Sequence, residues 1–252
     1  MIELRTEGAV AVVTLSRPPV NAVNGAWTDR LAEIVGQVAR DGAIGVLWIR
    51  SALNAFCAGA DLELMRAGFE SEQGRERMID VVRRMQQVFA RLEALGAVSI
   101  AELGGAALGG GFELALACDL RVVADTAKVG LPEAGLGLLP GAGGTQRLTR
   151  LCGDALARRL ILGAEVVRGA EAVALGLAHW VAPRAELEAF TRALVERIAG
   201  FSPQALAACK RCIGAALDPR ADGFALELAE TRRLYGAPET QRRVRRFLDK
   251  QA

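Results

Sequence analysis

Three consecutive glycines, Gly109-Gly110-Gly111, stand between an apolar strand-like run at 98–101 and a helix-like run at 112–118. That order calls for a strand, a turn without side chains and a helix in immediate succession. The first N–H groups of a helix have no intrahelical partner and sit at the positive end of its dipole. Glycine lets another molecule come close to them. Glu113 follows two residues after the last glycine. Backbone donors and a candidate acid or base then occupy one short stretch, a combination suited to chemistry on a carbonyl compound. The bland reading is a strand-to-helix turn with an exposed glutamate favoured by the dipole. A phosphate loop fits less well: the pattern is neither Walker A nor the dinucleotide fingerprint, and no Lys-Ser/Thr pair follows the glycines.

Two more segments share this character. Phe56-Cys57-Ala58-Gly59-Ala60-Asp61-Leu62 follows an apolar strand at 45–50 and is a small-residue loop able to present a backbone N–H. Leu131-Pro132-Glu133-Ala134-Gly135-Leu136-Gly137 brings a second acid, and Leu139-Pro140-Gly141-Ala142-Gly143-Gly144-Thr145-Gln146-Arg147 comes soon after. Two donors aimed at one oxygen would hold an enolate. Two carboxylates could hold and deprotonate one water.

In combination, the Ala-Gly-Ala-Asp loop at 58–61, the Gly-Gly-Gly-Phe-Glu turn at 109–113 and the run from Pro132-Glu133 to Arg147-Leu148 resemble the enoyl-CoA hydratase/isomerase (crotonase) superfamily. The resemblance extends from the strand Val12-Val13-Thr14-Leu15-Ser16-Arg17-Pro18 to the tail Phe247-Leu248-Asp249-Lys250. It implies an α/β fold, a crotonase-type spiral of ββα units with a C-terminal helical region. Residues 1–190 would form the spiral core and 191–252 a helical trimerisation region. It further implies that the N–H groups of Ala60 and Gly110 form an oxyanion hole for a thioester, with Glu113 as base and Glu133 as acid. The expected reaction is hydration of a trans-2-enoyl-CoA to a 3-hydroxyacyl-CoA. Ala58, Ala60, Asp61 and Leu62 would line the adenine pocket, and Lys250 would reach the nucleotide of a neighbouring subunit. Met65, Phe69, Met78 and Val82 are candidates for the acyl wall, against a plain core-packing role. The CoA thioester is the substrate and no separate cofactor is implied; a homotrimer or a dimer of trimers is.

Three positions depart from the family pattern. Glu63 stands where many relatives carry Lys near CoA, Gly104 where Asn is usual, and Arg242-Arg243 where Glu-Gly is frequent. The first bears on CoA affinity rather than on chemistry. Alternative readings are a double-bond isomerase, an acyl-CoA hydrolase or lyase of the same fold, a non-catalytic RNA-binding or scaffold member, and a subunit of a fatty-acid oxidation complex. Both glutamates are present and the formal net charge is only +2, which disfavours the nucleic-acid reading.

The rest of the chain adds mostly exclusions. Five cysteines, an odd number, and an N-terminus that starts directly on a strand pattern lead us to expect a reducing cytoplasm rather than secretion. No apolar run approaches a membrane span. Apolar residues make up 52% of the chain, so subunit contacts could bury part of its surface. Cys209-Lys210-Arg211-Cys212 has redox spacing but lies in an Ala-rich helical stretch, where two inert cysteines are the simpler reading. The lone histidine, His179, excludes a His-rich metal site, and the resemblance gives it no role. Arginines 232, 233, 242, 243, 245 and 246 read as a solvated helix face, a few of which could meet CoA phosphates.

Alternation predicts a hairpin from 2–5 and 10–15 with its turn at Glu7-Gly8. Helical spacing predicts helices at 25–40, 61–68 with Asp61 as cap, and 75–95. Strands are expected at 45–50, 97–101 and 119–123. Beyond Gly144 the chain reads as all-helical, at 144–151, 154–162, 169–174, 183–199, 203–217, 221–234 and 238–250, punctuated by prolines. Periodicity alone does not separate a spiral from a flat doubly wound sheet; the resemblance does.

Overall fold

Runs of valine, leucine and isoleucine become the buried strands of one large sheet in the computed structural model, which describes residues 1–249. β1 (Ile2–Glu7) and β2 (Val10–Leu15) pair antiparallel across Gly8, whose φ of 59° takes the turn. β3 (Val46–Ser51), β4 (Val98–Leu103), β6 (Leu120–Ala124) and β9 (Trp180–Ala182) then add in parallel, in the order β1-β2-β3-β4-β6-β9. Val46 faces both Val10 and Val98, and Ile100 faces Leu120. Successive residues of β3 and β4 are buried without alternation, as expected of parallel strands covered on both faces.

A second, smaller sheet holds β5 (Ala107–Leu108), β7 (Lys128–Gly130) and β8 (Val166–Arg168), with β5 and β7 parallel and β8 antiparallel to β7. Single bridges extend it, Cys57 to Ala107 and Val23 to Ala60. The chain runs from β3 into the Cys57–Ala60 loop, from β4 into β5, and from β6 into β7. Successive turns thus stack on one another in both sheets, which gives the expected ββα spiral.

Helices close the turns. α1 (Gly25–Arg40) is capped by Asn24, whose side chain accepts from the Trp27 N–H, and it buries Trp27, Leu31, Ile34, Val35 and Val38. α2 (Leu62–Phe69) is capped by Asp61 as expected. α3 (Glu72–Glu93) begins earlier than its apolar stripe suggests, because Ser71 caps it through the Gly74 N–H. Only the later part of the stripe is core: Met85, Val88, Phe89 and Leu92 are buried, while Met78, Val81 and Val82 are half-buried. α4 (Gly110–Leu116) starts at the second glycine of the turn and is buried throughout.

The all-helical expectation beyond Gly144 needs correction. α5 (Gly144–Cys152), α6 (Asp154–Leu162), α7 (Gly169–Ala174), α8 (Leu187–Ala199), α9 (Pro203–Ala215), α10 (Gly223–Tyr235) and α11 (Pro238–Asp249) are present, but β8 and β9 lie among them. Each strand has three residues, too few for a period to register, and pairing to β7 and β6 defines them. Position 190 falls inside α8, which contacts β2, β3, β4 and β6 and buries Leu187, Thr191, Leu194, Val195 and Ile198. α10 and α11 bury no residue, leaving Phe224 83% and Tyr235 73% exposed.

Candidate active site

Two backbone amides at the glycine turn receive their direction from hydrogen bonds made by the carbonyls of the same peptide units. The Gly59 carbonyl accepts from the Val23 N–H at 2.8 Å. A trans peptide points its N–H opposite to its C=O, so the Ala60 N–H points away from Val23. The φ of 98° at Gly59 permits this turn of the chain, and a Cβ built there would lie 3.0 Å from the Leu108 carbonyl and 3.7 Å from the Gly110 nitrogen. The Gly109 carbonyl accepts from the Glu113 N–H at 2.9 Å as the first turn of α4. By the same rule the Gly110 N–H points out of the helix start, where no side chain caps it. The two loops singled out in the sequence are therefore packed backbone against backbone.

Upstream, Asn21 fixes this arrangement. It is fully buried with φ 55°, accepts from the Arg17 N–H, and donates to Ser51 Oγ and the Phe56 carbonyl. Arg17 in turn donates to the Ala22 carbonyl and to Asp61. The segment carrying Val23 is thereby tied to the segment carrying Gly59.

Glu113 and Glu133 meet at this turn. Glu113 is 2% exposed, and its Oε1 accepts from the Gly144 N–H at 2.8 Å. Burial pushes its carboxyl up to about 7; the Gly144 amide draws it back, and the Glu133 charge raises it further. Glu133 lies in the 3-10 turn Pro132–Leu136. Its Oε1 would be 3.0 Å from a Cβ built on Gly109, and its Oε2 is buried without a hydrogen-bond partner among the described residues. Burial raises this carboxyl as well. A Cβ on Gly110 would lie 3.9 Å from Glu113 Oε2 and 3.0 Å from Met85 Cε. Two carboxyls with raised proton affinity thus border the glycine turn, one near Gly109 and the other near Gly110. Such a pair can share a proton and pass it to and from a bound molecule.

The other expected residues fall into place unevenly. Asp61 is an ion-pair partner of Arg17 at 2.7 Å as well as a cap, and Arg17 holds its carboxyl below the usual range. The Ala58 and Asp61 N–H groups are already donated to the Val20 and Val23 carbonyls, and the Asp61 carbonyl accepts from the Met65 N–H at 3.0 Å. Leu62 is exposed and Met65 half-buried, both on α2. Val82 packs on Gly141, Met78 on Gly68, and Phe69 is exposed. Lys250 lies outside the described residues. At Gly104 the Arg184 guanidinium occupies the space a side chain would take. Cys57 borders the site, but burial pushes its thiol up to about 12. Cys209 and Cys212 are both free thiols. His179 Nδ1 accepts from the Arg121 N–H, a structural bond across β6.

Several contributors carried no separate signal in the sequence. The Gly144 amide holds Glu113, the Met85 tip lies against Gly110, and Gln86 donates to the Gly141 carbonyl at 2.6 Å, which ties α3 to the loop before Gly144. Glycine 144 was visible as a residue, but an amide's partner 31 positions away is not.

Residues 5–252 match the enoyl-CoA hydratase/isomerase family. The chain is 37% identical over 212 residues to the short-chain-enoyl-CoA hydratase of Clostridium acetobutylicum, covering 83% of this chain and 79% of that protein. It is 42% identical over 226 residues to the mitochondrial enoyl-CoA hydratase domain-containing protein 2 of Bos taurus, covering 86% and 74%. An enoyl-CoA hydratase structure from Bacillus anthracis superposes with a TM-score of 0.92 at 32% identity, covering 99% of this chain and 96% of that one.

Proposed function

The chain belongs to the enoyl-CoA hydratase/isomerase family, and we propose that it adds water to a trans-2-enoyl-CoA to give the 3-hydroxyacyl-CoA. The observation that carries this reading is the pair Glu113 and Glu133 beside the Gly109-Gly110 turn. The thioester oxygen binds between the N–H groups of Ala60 and Gly110. Negative charge grows on that oxygen as the reaction proceeds, and donors fixed in advance stabilise it without reorganising.

Water held by the two carboxyls attacks C3 through its oxygen and gives one proton to the Glu113 carboxylate. The Glu133 carboxyl delivers a proton to C2. The sum is one water added across the double bond, and proton exchange with solvent restores the pair. Burial raises the proton affinity of both carboxyls and they titrate as a unit, so the pair can hold the one proton that the reaction requires. A pair that both use favours hydration over double-bond isomerisation, which needs one acid/base group only.

Ala58, Asp61, Leu62 and Met65 are assigned to the CoA and acyl chain, and Lys250 to the nucleotide of a neighbouring subunit. A homotrimer or a dimer of trimers is proposed, supported by exposed Ile213, Leu217, Phe224, Leu228 and Tyr235 on and after α9 and α10. Light scattering on the purified protein tests that assembly.

The activity test mixes the protein with short, medium and long trans-2-enoyl-CoA esters and follows the conjugated thioester absorbance. Rapid loss with 3-hydroxyacyl-CoA formed is the expected result. No loss with any ester, from folded protein that binds CoA, overturns hydration and turns the search to isomerised or hydrolysed products.

A further inference from the structure

The Glu113 carboxylate hangs on the 140–144 loop, and that loop is held from outside the cleft. In the first turn of α5, Arg147 sends its side chain back over Gly143. Its Nη1 donates to the Ala142 carbonyl at 3.1 Å, and its Nε and Nη2 donate to Glu93 Oε2 at 3.2 and 3.1 Å. Glu93 is the last residue of α3, the helix that also supplies Met85, Val82 and Gln86 to the loop and turn. One guanidinium therefore joins α3 to the two-residue step before the amide that grips Glu113.

We propose that Arg147 is a positioning residue for Glu113, fixing the Ala142-Gly143-Gly144 backbone and placing one positive charge behind the carboxylate. The inference rests on the reading of Glu113 as an acid/base group. The planar fork of arginine suits this double role, because it can satisfy a carbonyl and a carboxylate at once. Its side chain is only 10% exposed, so the charge is poorly screened.

The charged groups that bear on Glu113 are few. Glu133 faces it from the 3-10 turn and raises its proton affinity, while Arg147 on α5 lowers it. From α3 the neighbours Val82, Met85 and Gln86 are uncharged, and Glu93 reaches Arg147 instead. Removal of the Arg147 charge leaves only backbone amides to oppose burial and the Glu133 repulsion, so Glu113 should hold its proton to higher pH.

The test is an infrared titration of the Glu113 carboxyl in wild type, Arg147→Met and Arg147→Lys, with Glu113→Gln as the blank. No substrate is needed. The midpoint is expected to rise by about half a pH unit or more in Arg147→Met and to stay near wild type in Arg147→Lys, which keeps the charge. In the same variants the acid limb of the kcat/KM profile should move upward only for Met, while kcat falls for both because the fork is lost. Arg147→Gln, which retains a donor for Ala142, replaces Met if that variant does not fold. An unmoved midpoint in the uncharged variant overturns the proposal. If wild type turns over no enoyl-CoA, hydration fails as a function, and the infrared midpoints still decide the role of Arg147.

Discussion

Glu113 on α4 and Glu230 on α10 are the same side chain treated in opposite ways. Glu113 is buried against backbone amides and another acid, and its carboxyl rises to about 7. Glu230 accepts from Arg211 and Arg233 at 2.8 Å each, and its carboxyl falls to about 2. The helices around Glu230 follow a stabilising pattern throughout: Arg243 pairs with Glu239, and Lys210 pairs with Asp119 at 2.7 Å. At the glycine turn no arginine among the described residues touches either glutamate directly, and Arg147 acts on Glu113 only through the loop and at a distance. The proposed proton transfer requires that the nearest counter-ion be absent, because a tightly paired carboxylate neither takes nor gives a proton near neutral pH.

The comparison can be broken most decisively at the glycine turn. Glu113→Gln and Glu133→Gln should each lower kcat by about 10²–10⁴-fold with KM little changed, as read from the thioester absorbance. Near-normal turnover in both would remove the distinction between the two regions. A second substitution pair separates chemistry from scaffold. A Cβ on Gly111 would overlap the Cys57 carbonyl, which is backbone and cannot swing aside, so Gly111→Ala should lose about 1–3 kcal/mol in urea unfolding. At Gly110 the obstacle is the flexible tip of Met85, so Gly110→Ala should keep more of the stability and fail instead in kcat.

Stability against pH sharpens the contrast. The Glu113 carboxyl binds its proton more tightly folded than unfolded, between its ordinary 4.5 and about 7. Its presence therefore lowers stability as pH rises through that window, by up to about 3 kcal/mol at pH 8. Glu113→Gln keeps the acceptor for Gly144 and should unfold later than wild type at pH 8, with the gain vanishing near pH 4. Glu230 has the reverse sign. Its folded value is depressed from 4.5 to about 2, so its stabilisation is present above 4.5 and is lost as pH falls toward 2. Glu230→Gln should make a small difference at pH 7 that disappears in acid, the least of these effects, since exposed pairs contribute little. Thermal melts at four pH values would show shifts of opposite sign, the Glu230 one developing between about 2 and 4.5 and the Glu113 one between 4.5 and about 7.

Much of this arrangement was legible in the chain, and the remainder has physical reasons for being hidden. Asp61 and Ser202-Pro203 mark helix starts by local chemistry alone, and both helices begin there. The buried strands β3 and β4 appear as apolar runs. β5, β7 and β8 do not, because two or three residues carry no period and become strands only by meeting partners from other turns. Glu113 and Glu133 were visible as acids near glycines. Their raised proton affinity was not, since it depends on what covers them. Arg147 stood in plain view within a recognisable motif, yet its partners Glu93 and Ala142 lie 54 residues upstream and five residues upstream respectively.

The peptide unit between Gly59 and Ala60 has a consequence for how such a protein should be probed. Its donor is aimed by a carbonyl bonded to Val23, and the one at Gly110 by a carbonyl bonded to Glu113. Neither donor belongs to a side chain. An alanine scan would isolate neither: Ala60 is already alanine, and a methyl placed at Gly110 crowds the cleft while leaving its nitrogen untouched. A map of functional positions built from side-chain truncation would colour the two glutamates and leave the facing wall blank. Replacing a single amide with an ester, which deletes the hydrogen and keeps the residue, is the edit that would make that wall visible.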